Sequence, residues 1–420
     1  MLTLTNARLI DPEAGTETLG GVRIEGGVIA EILPDGADGI DCGGKCLAPG
    51  VIDIGVKIGE PGERHKESFR TAGRSAAAGG VTTMVTRPDT TPAIDSPELL
   101  DFFNRRAAEL VPVNVLPMAA LTKGRDGAEM TEIGFLKDAG AVAFTDGDRP
   151  LQNPKTLQRA LTYAADLGAL VMAHPQEPTL SKGACATSGP LASLMGLPSV
   201  SPLAERIQLE RDMALVEMTG ARYHADQITT TAALPALERA KKAGLKVSAG
   251  VSAHHLTLNQ FDIEGYRTFF KLKPPLRAED DRLAVVQAVQ SGLIDIICSM
   301  HTPQDEESKR LPFEEAASGA VGLETLLPAC MQLVHAGHLT LPELFRALSF
   351  NPAKLLGLSA GRLAVGAPAD LILFDPDKPF VLNRAKLHSK SKNTPYDLRR
   401  MEGVVLQTYV AGAQVFPLDE

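Results

Sequence analysis

Eight short apolar segments, separated by stretches with helical periodicity, constrain the fold of this chain more than any other feature. The segments are VIDIGV (51–56), VTTMVT (81–86), VNVLPMA (113–119), AVAFT (141–145), ALVMA (169–173), ARYHA (221–225), KVSAGV (246–251) and IDIICS (294–299). Uninterrupted apolar strands that alternate with helices are typical of a parallel sheet covered on both faces. Eight of them predict an α/β fold, a closed (β/α)8 TIM barrel that spans residues 51–356.

The two ends of the chain have a different pattern, in which glycine and aspartate separate short β-type segments. LTLTNARLI and GVRIEGGVIAEIL lie near the N-terminus, whereas ADLILFD and GVVLQTYVAGAQVF lie near the C-terminus. Short alternating runs with turn residues between them are typical of antiparallel strands. We therefore expect residues 1–50 and 357–420 to meet as one small discontinuous β-sandwich domain beside the barrel.

One helix can be predicted in detail, and it runs from about Pro202 to Met218. Ser201 can cap its first turn, and Gly220 can end it. Four apolar residues recur at helical spacing, so we predict that they face the core. These residues are Leu203, Ile207, Ala214 and Met218.

Composition places the chain among ordinary globular proteins and argues against two classes of partner. Its 420 residues are 44% hydrophobic and 22% charged, with a formal net charge of -9. The acidic excess disfavours nucleic-acid binding, and no apolar run is long enough to predict a membrane span. The N-terminus lacks the pattern of a signal peptide, so we expect a cytoplasmic protein with five reduced cysteines. The basic run SKSKN (389–393) is expected to be a solvated loop.

Polar residues gather where the predicted barrel strands end, which is where barrel enzymes carry their chemistry. Four histidines follow predicted strands, namely His174, His254, His255 and His301. A hydrolytic metal site needs several His, Asp, Glu or Cys ligands that converge around an open position. The first strand ends in Gly55, Val56 and Lys57 and offers no ligand, because glycine has no side chain and protonated lysine repels a cation. These residues predict a polar mouth without a metal cage.

The segment APGVIDIGVKIGEPGERHKESF resembles the signature of type I dihydroorotases, in which PG-x-ID-x-H-x-H-x-REPG follows the first strand. Other segments resemble the same family in the same order, among them GGVTTMVTRPDTTP, AGAVAFTDGDRPLQNP, VSAHHLTLN and FFKLKPPLR. The ending GRLAVGAPADLILFD resembles that of the amidohydrolase superfamily. The resemblance implies an amidohydrolase-type barrel that opens or closes the cyclic amide of dihydroorotate in pyrimidine biosynthesis. It also implies one or two zinc ions and an aspartate as general acid and base.

Carried over residue by residue, the resemblance implies that most functional positions are replaced. The two histidines of the first strand correspond to Gly55 and Lys57, and the catalytic aspartate corresponds to Met300. A thioether cannot exchange protons, so we expect no catalytic residue in this chain. Two ligand positions survive, Asp146 and His174, and they are too few for a firm zinc site. We therefore expect no metal cofactor.

Further substitutions fall on substrate-binding and ligand positions. The arginine that should bind the substrate carboxylate corresponds to Gly59, and its asparagine neighbour corresponds to Asp89. A second ligand histidine corresponds to Gln227, and another asparagine corresponds to Lys273. The resemblance thus implies a remnant pocket that is polar but lacks the family's chemistry. Its predicted members are Gly55, Lys57, Gly59, Arg87, Asp89, Asp146, His174, Gln227, His255, Lys273 and His301.

Two pairings inside this pocket follow from charge alone. A buried acid that loses its metal needs another positive partner, because an unpaired buried charge is costly. Lys57 is therefore expected to pair with Asp146 and to replace the charge of the missing metal. Arg87 is expected to pair with Asp89 or Glu60.

The sequence leaves three functions open, and we expect the first. The chain is a non-catalytic dihydroorotase-like protein, a homo-oligomer that serves as structural partner of the aspartate transcarbamoylase catalytic chain, as the resemblance implies. Alternatively, it is an active zinc-dependent dihydroorotase, or a hydantoinase- or allantoinase-type cyclic-amide hydrolase, with unusual ligands. Candidates for those ligands are Asp148, His254 and His301. The third possibility is a metal-free protein that binds an anion near Lys57, Arg87 and Lys273.

Overall fold

The computed structural model describes residues 1–417 and shows a barrel of parallel strands beside a second sheet. The strands are β1 (Leu2–Asp11), β2 (Thr16–Glu25), β3 (Val28–Pro34), β4 (Ile40–Asp41), β5 (Cys46–Pro49), β6 (Val51–Val56), β7 (Val81–Thr86), β8 (Asn114–Pro117), β9 (Leu170–Ala173), β10 (Ala186–Thr187), β11 (Ser199–Val200), β12 (Arg222–Ala225), β13 (Val247–Ser252), β14 (Ile296–Cys298), β15 (Leu371–Val381), β16 (Arg400–Val410) and β17 (Ala413–Phe416). The helices are α1 (Phe69–Ala78), α2 (Pro97–Leu110), α3 (Ile133–Asp138), α4 (Pro154–Asp166), α5 (Pro178–Ser181), α6 (Pro190–Met195), α7 (Leu203–Thr219), α8 (Leu234–Lys242), α9 (Ala253–Thr257), α10 (Glu279–Gln290), α11 (Glu306–Arg310), α12 (Leu326–His335), α13 (Leu341–Phe345) and α14 (Asn351–Leu356). In this part of the chain, no helix is both long enough and apolar enough to cross a membrane.

Eight parallel segments form the barrel, as the sequence predicts. Strands β6, β7 and β8 pair in parallel, and β9, β12, β13 and β14 form a second parallel group. The segment 141–145 joins the groups, because Phe144 bridges Ala119 on one side and Val171 on the other. The ring closes where the Lys57 N–H donates to the His301 carbonyl at 2.9 Å.

Both ends of the chain contribute strands to one further sheet. Its order is β17-β16-β15-β5-β1-β2-β3, with β4 beside β1. The two ends meet where β5 pairs antiparallel with β15, so that Leu47 lies opposite Leu373. This sheet has an apolar core of its own, formed by Leu4, Leu9, Val22, Ile24, Ile29, Leu47, Leu371, Leu373 and Tyr409. The predicted terminal sheet domain is confirmed, the boundaries at 50 and 357 stay predictions, and residues 418–420 lie outside the described part.

The run 389–393 is not the solvated loop that its lysines suggest. Its backbone and small polar side chains bind the carboxylate of Glu67, which is buried. The Ser389 hydroxyl and the Lys390 N–H both donate to Glu67, the latter at 3.0 Å. Asn393 Nδ2 donates to the Gly319 carbonyl at 3.0 Å. The prediction was wrong because Ser389 and Asn393 turn inward, while the Lys390 side chain stays exposed.

Helix α7 buries the face opposite to the predicted one. Its bounds agree with the prediction, and Gly220 follows it in the left-handed conformation with φ of 66°. The four residues predicted to face the core are all exposed, namely Leu203, Ile207, Ala214 and Met218. The buried face instead combines Leu209 and Val216 with the carboxylates of Glu205 and Asp212.

Specific partners make this polar face compatible with burial. Glu205 accepts a hydrogen bond from the Thr229 N–H at 2.8 Å and pairs with Arg277 at 3.3 Å. Asp212 accepts a hydrogen bond from the Tyr223 hydroxyl at 2.7 Å. Buried polar groups are tolerated when their hydrogen bonds are satisfied. Helical periodicity cannot detect such partners, because they lie on other elements far along the chain.

Two substitutions on α7 test which face is buried. Leu209→Ala removes a fully buried side chain, so we expect the free energy of unfolding to fall by about 2–5 kcal/mol. Ile207→Ala lies on the exposed face, where the expected change is within about 0.5 kcal/mol. Urea denaturation of both variants measures the difference, and a larger loss for Ile207→Ala would contradict the assigned orientation.

Candidate functional site

A cavity of about 230 Å³ opens at the mouth of the barrel, next to the carboxyl ends of its strands. Several predicted pocket residues line it: Lys57, Arg87, Asp89, Gln227, His255 and Lys273, together with Met300. Other lining residues are Arg125, Asp148, Arg149, Ser252, His254, Leu272, Thr302, Gln304, Ser318, Gly319 and Ala320. Sequence reasoning missed Arg125 and Arg149, because neither lies directly after a predicted strand.

A buried ion pair lies at the base of this cavity. Arg87 Nε is 3.2 Å from Asp89 Oδ1, and Arg87 Nη2 is 3.0 Å from Asp89 Oδ2. The Arg87 Nη2 group also donates to Thr302 Oγ1 at 3.2 Å, and Nη1 lies 4.0 Å from Met300 Sδ. Burial alone would lower the pKa of Arg87, but the adjacent Asp89 carboxylate raises it overall. The pairing predicted for Arg87 with Asp89 is confirmed, and the guanidinium stays charged.

Lys57 does not pair with Asp146, which corrects the prediction. Its ammonium lies 2.8 Å from Glu63 and 3.7 Å from Asp89. Asp146 cannot serve as its partner because both carboxylate oxygens are engaged by the segment after β8. Oδ1 accepts hydrogen bonds from the Leu121 and Thr122 N–H groups at 3.1 and 3.0 Å, and Oδ2 accepts one from the Thr122 hydroxyl at 2.6 Å. Asp146 thus holds a loop and does not line the cavity.

Gly55 and Met300 occupy complementary positions beneath the cavity. A Cβ atom added at Gly55 would lie 3.0 Å from Met300 Sδ and 3.2 Å from Cys298 Sγ. These contacts are tighter than ordinary van der Waals separations, so the space beside β6 is already filled. A larger side chain such as an imidazole at position 55 would require Met300 to move.

Gly59 is likewise enclosed, in this case by backbone. A Cβ atom there would lie 2.3 Å from the Glu63 carbonyl oxygen and 2.6 Å from that of Glu67. The loop after β6 therefore folds through the space where the resemblance places an arginine. Gly59 was predicted to belong to the pocket, but it belongs to this loop and is not among the residues that line the cavity.

Two predicted pocket histidines are also buried away from the cavity lining. His301 Nδ1 accepts a hydrogen bond from the Gly322 N–H at 3.1 Å, and Nε2 lies 3.4 Å from Glu67. Because Nδ1 accepts, the proton of the neutral ring is on Nε2 and points to Glu67. For His174, burial and then the positive charge of Lys273 lower the pKa to about 3. His174 Nε2 is buried without a hydrogen-bond partner among residues 1–417.

Comparison with known proteins agrees with this arrangement of barrel and terminal sheet. A family model described as "Dihydro-orotase-like" matches residues 44–233, and one described as "Amidohydrolase family" matches residues 332–416. The dihydroorotase of Wolbachia sp. subsp. Drosophila simulans (strain wRi) is 39% identical, over 99% of this chain and 95% of the relative. The chain belongs to the dihydroorotase family. The dihydroorotase of Geobacter sp. (strain M21) is 37% identical over 99% of both chains.

The same architecture occurs in solved structures of related amidohydrolases. The L-hydantoinase (dihydropyrimidinase) of Arthrobacter aurescens superposes with a TM-score of 0.89, at 25% identity. The match covers 99% of this chain and 95% of the hydantoinase. The barrel and the sheet domain built from both termini are therefore features that this dihydroorotase-family chain shares with cyclic-amide hydrolases.

The donor groups of this dihydroorotase-family chain do not fit a hydrolytic zinc site. Across residues 1–417, no three His, Cys, Asp or Glu side chains form a group that could hold a metal ion. Among the unusual ligands considered from the sequence, His254 and His301 each keep a buried Nε2 without a hydrogen-bond partner in residues 1–417, but other atoms of these ligands are engaged. Asp148 lies 2.7 Å from Arg125 and 3.2 Å from Lys273, and His254 Nδ1 lies 3.3 Å from the Tyr396 hydroxyl. A hydrolytic zinc site needs three protein ligands around one open position, and no such set of His, Cys, Asp or Glu side chains converges within residues 1–417.

Gln227 holds the centre of the barrel together by hydrogen bonds. Its Nε2 donates to Asp226 Oδ1 at 3.0 Å and lies 3.2 Å from Cys298 Sγ. Its Oε1 accepts a hydrogen bond from the Ser252 N–H at 3.0 Å. Both Gln227 and Met300 have positive φ, 63° and 47°. Such backbone is uncommon outside glycine and is frequent at functional sites, so the strand ends have a constrained conformation at Gln227 and Met300.

His255 is fixed in one neutral tautomer. Its Nε2 lies 3.1 Å from the Pro274 carbonyl, which can only accept, so the proton is on Nε2. Its Nδ1 then accepts the hydroxyl proton of Ser252 at 2.7 Å. Burial, followed by the charge of Arg277, lowers the pKa of His255 to about 3. His255 faces the cavity as a neutral ring whose two nitrogens are both engaged.

The buried ion pair can be tested by removing its cation. Arg87→Met leaves the Asp89 carboxylate buried with Lys57 as its nearest cation, so we expect a loss of about 3–5 kcal/mol in the free energy of unfolding. Arg105→Met is the matched control, because Arg105 pairs with Asp101 on the exposed surface, where a change within about 0.5 kcal/mol is expected. Equal losses in urea denaturation would show that the buried pair has no special role.

The protonation of the mouth histidines is measurable by NMR of ring-labelled protein. Burial is the largest cause that lowers the pKa of His254 to about 4 and of His255 to about 3. Their ring signals are expected to stay constant from pH 8 to about pH 5, whereas the exposed His388, whose pKa is raised by its hydrogen bond to Glu324, titrates above its ordinary value near 6.5. In the unfolded chain, both histidines take up a proton near pH 6.5, whereas in the folded protein they stay neutral there. The free energy of unfolding is therefore expected to fall as the pH falls below about 6.5. Titration of His254 or His255 near pH 6.5 would refute the assignment.

Proposed function

We propose that this dihydroorotase-family chain does not hydrolyse dihydroorotate and acts in pyrimidine biosynthesis as a structural partner. The observation that carries the proposal is the packing of Met300 against Gly55, with the Arg87 guanidinium 4.0 Å from the Met300 sulfur. A permanent buried cation at this point repels a divalent metal, since charges interact strongly where water is excluded. A thioether at the position of the general acid and base can neither accept nor donate a proton.

A catalytic role for this chain has support of its own. The relatives at 37–39% identity are named dihydroorotases, and His174 and His254 each keep one ring nitrogen without a partner among the described residues. An active enzyme would need Met300 or Arg87 to move and would need further ligands to approach His174. We favour the non-catalytic function because the contacts of Asp146, Asp148 and His254 oppose that rearrangement.

Metal content and turnover test the proposal directly. Purified protein is assayed for bound zinc and for dihydroorotate hydrolysis with added zinc, with the Geobacter dihydroorotase as the positive control. We expect well under one zinc per chain and no turnover above background. Met300→Asp is expected to stay inactive, because Gly55 and Lys57 still supply no ligands. Stoichiometric zinc together with turnover by the unaltered chain would overturn the proposal.

The proposed partner is the aspartate transcarbamoylase catalytic chain. Support comes from the family resemblance and from the apolar stripe Leu203, Ile207 and Met218, which is exposed on α7. Exposed apolar groups that lie together are typical of protein interaction sites. This chain and the transcarbamoylase chain from the same organism are purified separately and mixed, and light scattering then measures the masses of each and of the mixture.

A supporting result has two parts. The mixture forms a complex with higher transcarbamoylase activity than the catalytic chain alone, and Ile207→Asp weakens this complex without lowering the melting temperature. Lys123→Met, which removes an exposed lysine paired with Glu129 away from the stripe, is the control and leaves the complex intact. Full transcarbamoylase activity without this chain, and no complex, would exclude the partnership.

A further inference from the structure

Two cationic side chains bind a single carboxylate at the outer wall of the barrel cavity, and a third cation belongs to the same lining. Arg125 Nη2 lies 2.7 Å from Asp148 Oδ1, and Lys273 Nζ lies 3.2 Å from Asp148 Oδ2. Arg149 lines the same wall and donates to the Arg125 carbonyl at 3.3 Å. Within the lining of the central cavity, these three positive charges accompany one carboxylate at this wall and leave a formal excess of two. In a partly enclosed space this excess attracts anions.

The rest of the cavity does not neutralise this excess. Deeper in the mouth, Lys57 and Arg87 share the carboxylate of Asp89, and Glu63 outside the lining is shared between Lys57 and Lys66. Cations therefore outnumber carboxylates on both sides of the cavity. The position of His174 agrees with this, because after burial the charge of Lys273 is the largest factor that disfavours protonation of its ring.

The three outer cations also belong to a second space. Arg125, Arg149 and Lys273 line an adjoining groove of about 580 Å³. Its other walls include two carboxylates, Asp126 and Asp146, beside uncharged residues such as Gly127, Gln152 and Asn153. Both oxygens of the Asp146 carboxylate already accept hydrogen bonds from Leu121 and Thr122. The cations thus lie where a small central cavity and a larger outer groove meet. A ligand whose charge is at this junction has room for an uncharged part in the groove.

We propose that this junction binds a phosphate monoester, with the phosphate among Arg125, Arg149 and Lys273 and the organic part in the outer groove. A phosphate monoester carries about −1.5 to −2 charges at pH 7, which matches the excess of two. Guanidinium groups suit phosphate because they present paired N–H donors in one plane. The proposal goes beyond the proposed function and depends on it only in that the mouth holds this anion without a metal.

Asp148 has a distinct part in this site. It holds the Arg125 and Lys273 side chains in place, and its carboxylate competes with any anion for them. Replacing it with asparagine keeps the shape and removes the negative charge. Asp148→Asn is therefore expected to bind phosphate about tenfold more tightly, since contacts to charged groups contribute on this scale. A purely structural ion pair predicts no such gain.

Calorimetry on EDTA-treated protein tests the site with inorganic phosphate and glycerol 2-phosphate, and with glycerol as the uncharged control. Lys273→Met and Arg149→Met each remove one exposed cation, and each is expected to weaken phosphate binding about tenfold. The matched control is Lys123→Met, whose lysine pairs with Glu129 on the surface, and its affinity is expected to be unchanged. Melting temperatures measured on all variants identify any that fail to fold.

Three results would overturn the proposal. The first is that the unaltered protein binds neither phosphate compound. The second is that Lys123→Met weakens phosphate binding as much as Lys273→Met does. The third is that phosphate binding disappears when metal is chelated. Glycerol 2-phosphate is expected to bind at least as tightly as inorganic phosphate, and weaker binding would exclude the organic part from the groove. The dihydroorotate assay on the same preparation separates the two proposals, because turnover with zinc ends the non-catalytic proposal without altering phosphate binding by the metal-free protein.

Discussion

The ion pair between Arg87 and Asp89 determines how the mouth of this barrel is arranged. Both side chains are almost fully buried, and a buried charge is stable only with a well-oriented opposite charge. The carboxylate is accordingly held by two contacts from Arg87 and lies 3.7 Å from Lys57. The remaining Arg87 nitrogen lies beside Met300, a side chain that needs no hydrogen bond. Asp89 and Met300 can therefore both lie against Arg87, because the guanidinium charge is paired on one side and needs no further partner on the other.

A second buried carboxylate organises the loops that surround the mouth. Burial alone would raise the pKa of Glu67, but the adjacent His301 ring and the hydrogen bonds from Ser389 and Thr71 lower it overall. Glu67 thus joins the loop after β6, the loop after β14 and the segment 389–393. His301 has become part of this connection, and its ring points away from the cavity. A histidine at the end of a barrel strand can therefore be a structural residue in a dihydroorotase-family fold.

Much of this fold could be predicted because it depends on local pattern. The strands β6 and β7 have the bounds that their apolar runs suggest, and both termini enter one sheet. The buried face of α7 could not be predicted, because Glu205 and Asp212 are satisfied by residues on other elements. An exposed Ile207 and a buried glutamate reverse the usual signal of hydrophobic periodicity. The same limit applies to the loop 389–393, in which the Ser389 hydroxyl binds a carboxylate more than 300 residues earlier in the chain.

In the candidate site too, the sequence predicted which residues are present but not which residues they contact. Sequence reasoning found Lys57, Arg87 and Asp89 in the mouth, but it assigned Asp146 to Lys57. That assignment treated the missing metal as the organising charge, whereas Asp146 satisfies backbone N–H groups of a neighbouring loop. A carboxylate can accept several hydrogen bonds at once, and nearby backbone donors can satisfy its oxygens without a cation, although burial still raises the pKa of Asp146. Which acceptor a lysine reaches depends on loop geometry that residue type alone does not define.

The substitutions in this mouth depend on one another physically. The space at Gly55 is filled by Met300, and Met300 in turn lies beside Arg87, whose charge requires Asp89. An imidazole at position 55 would collide with the methionine, and an aspartate at position 300 would place a second carboxylate near the same guanidinium. Restoring a single family residue therefore disturbs a packed and charge-paired arrangement without completing a ligand set. This interdependence is the physical basis on which we propose that the mouth holds an anion rather than a metal ion.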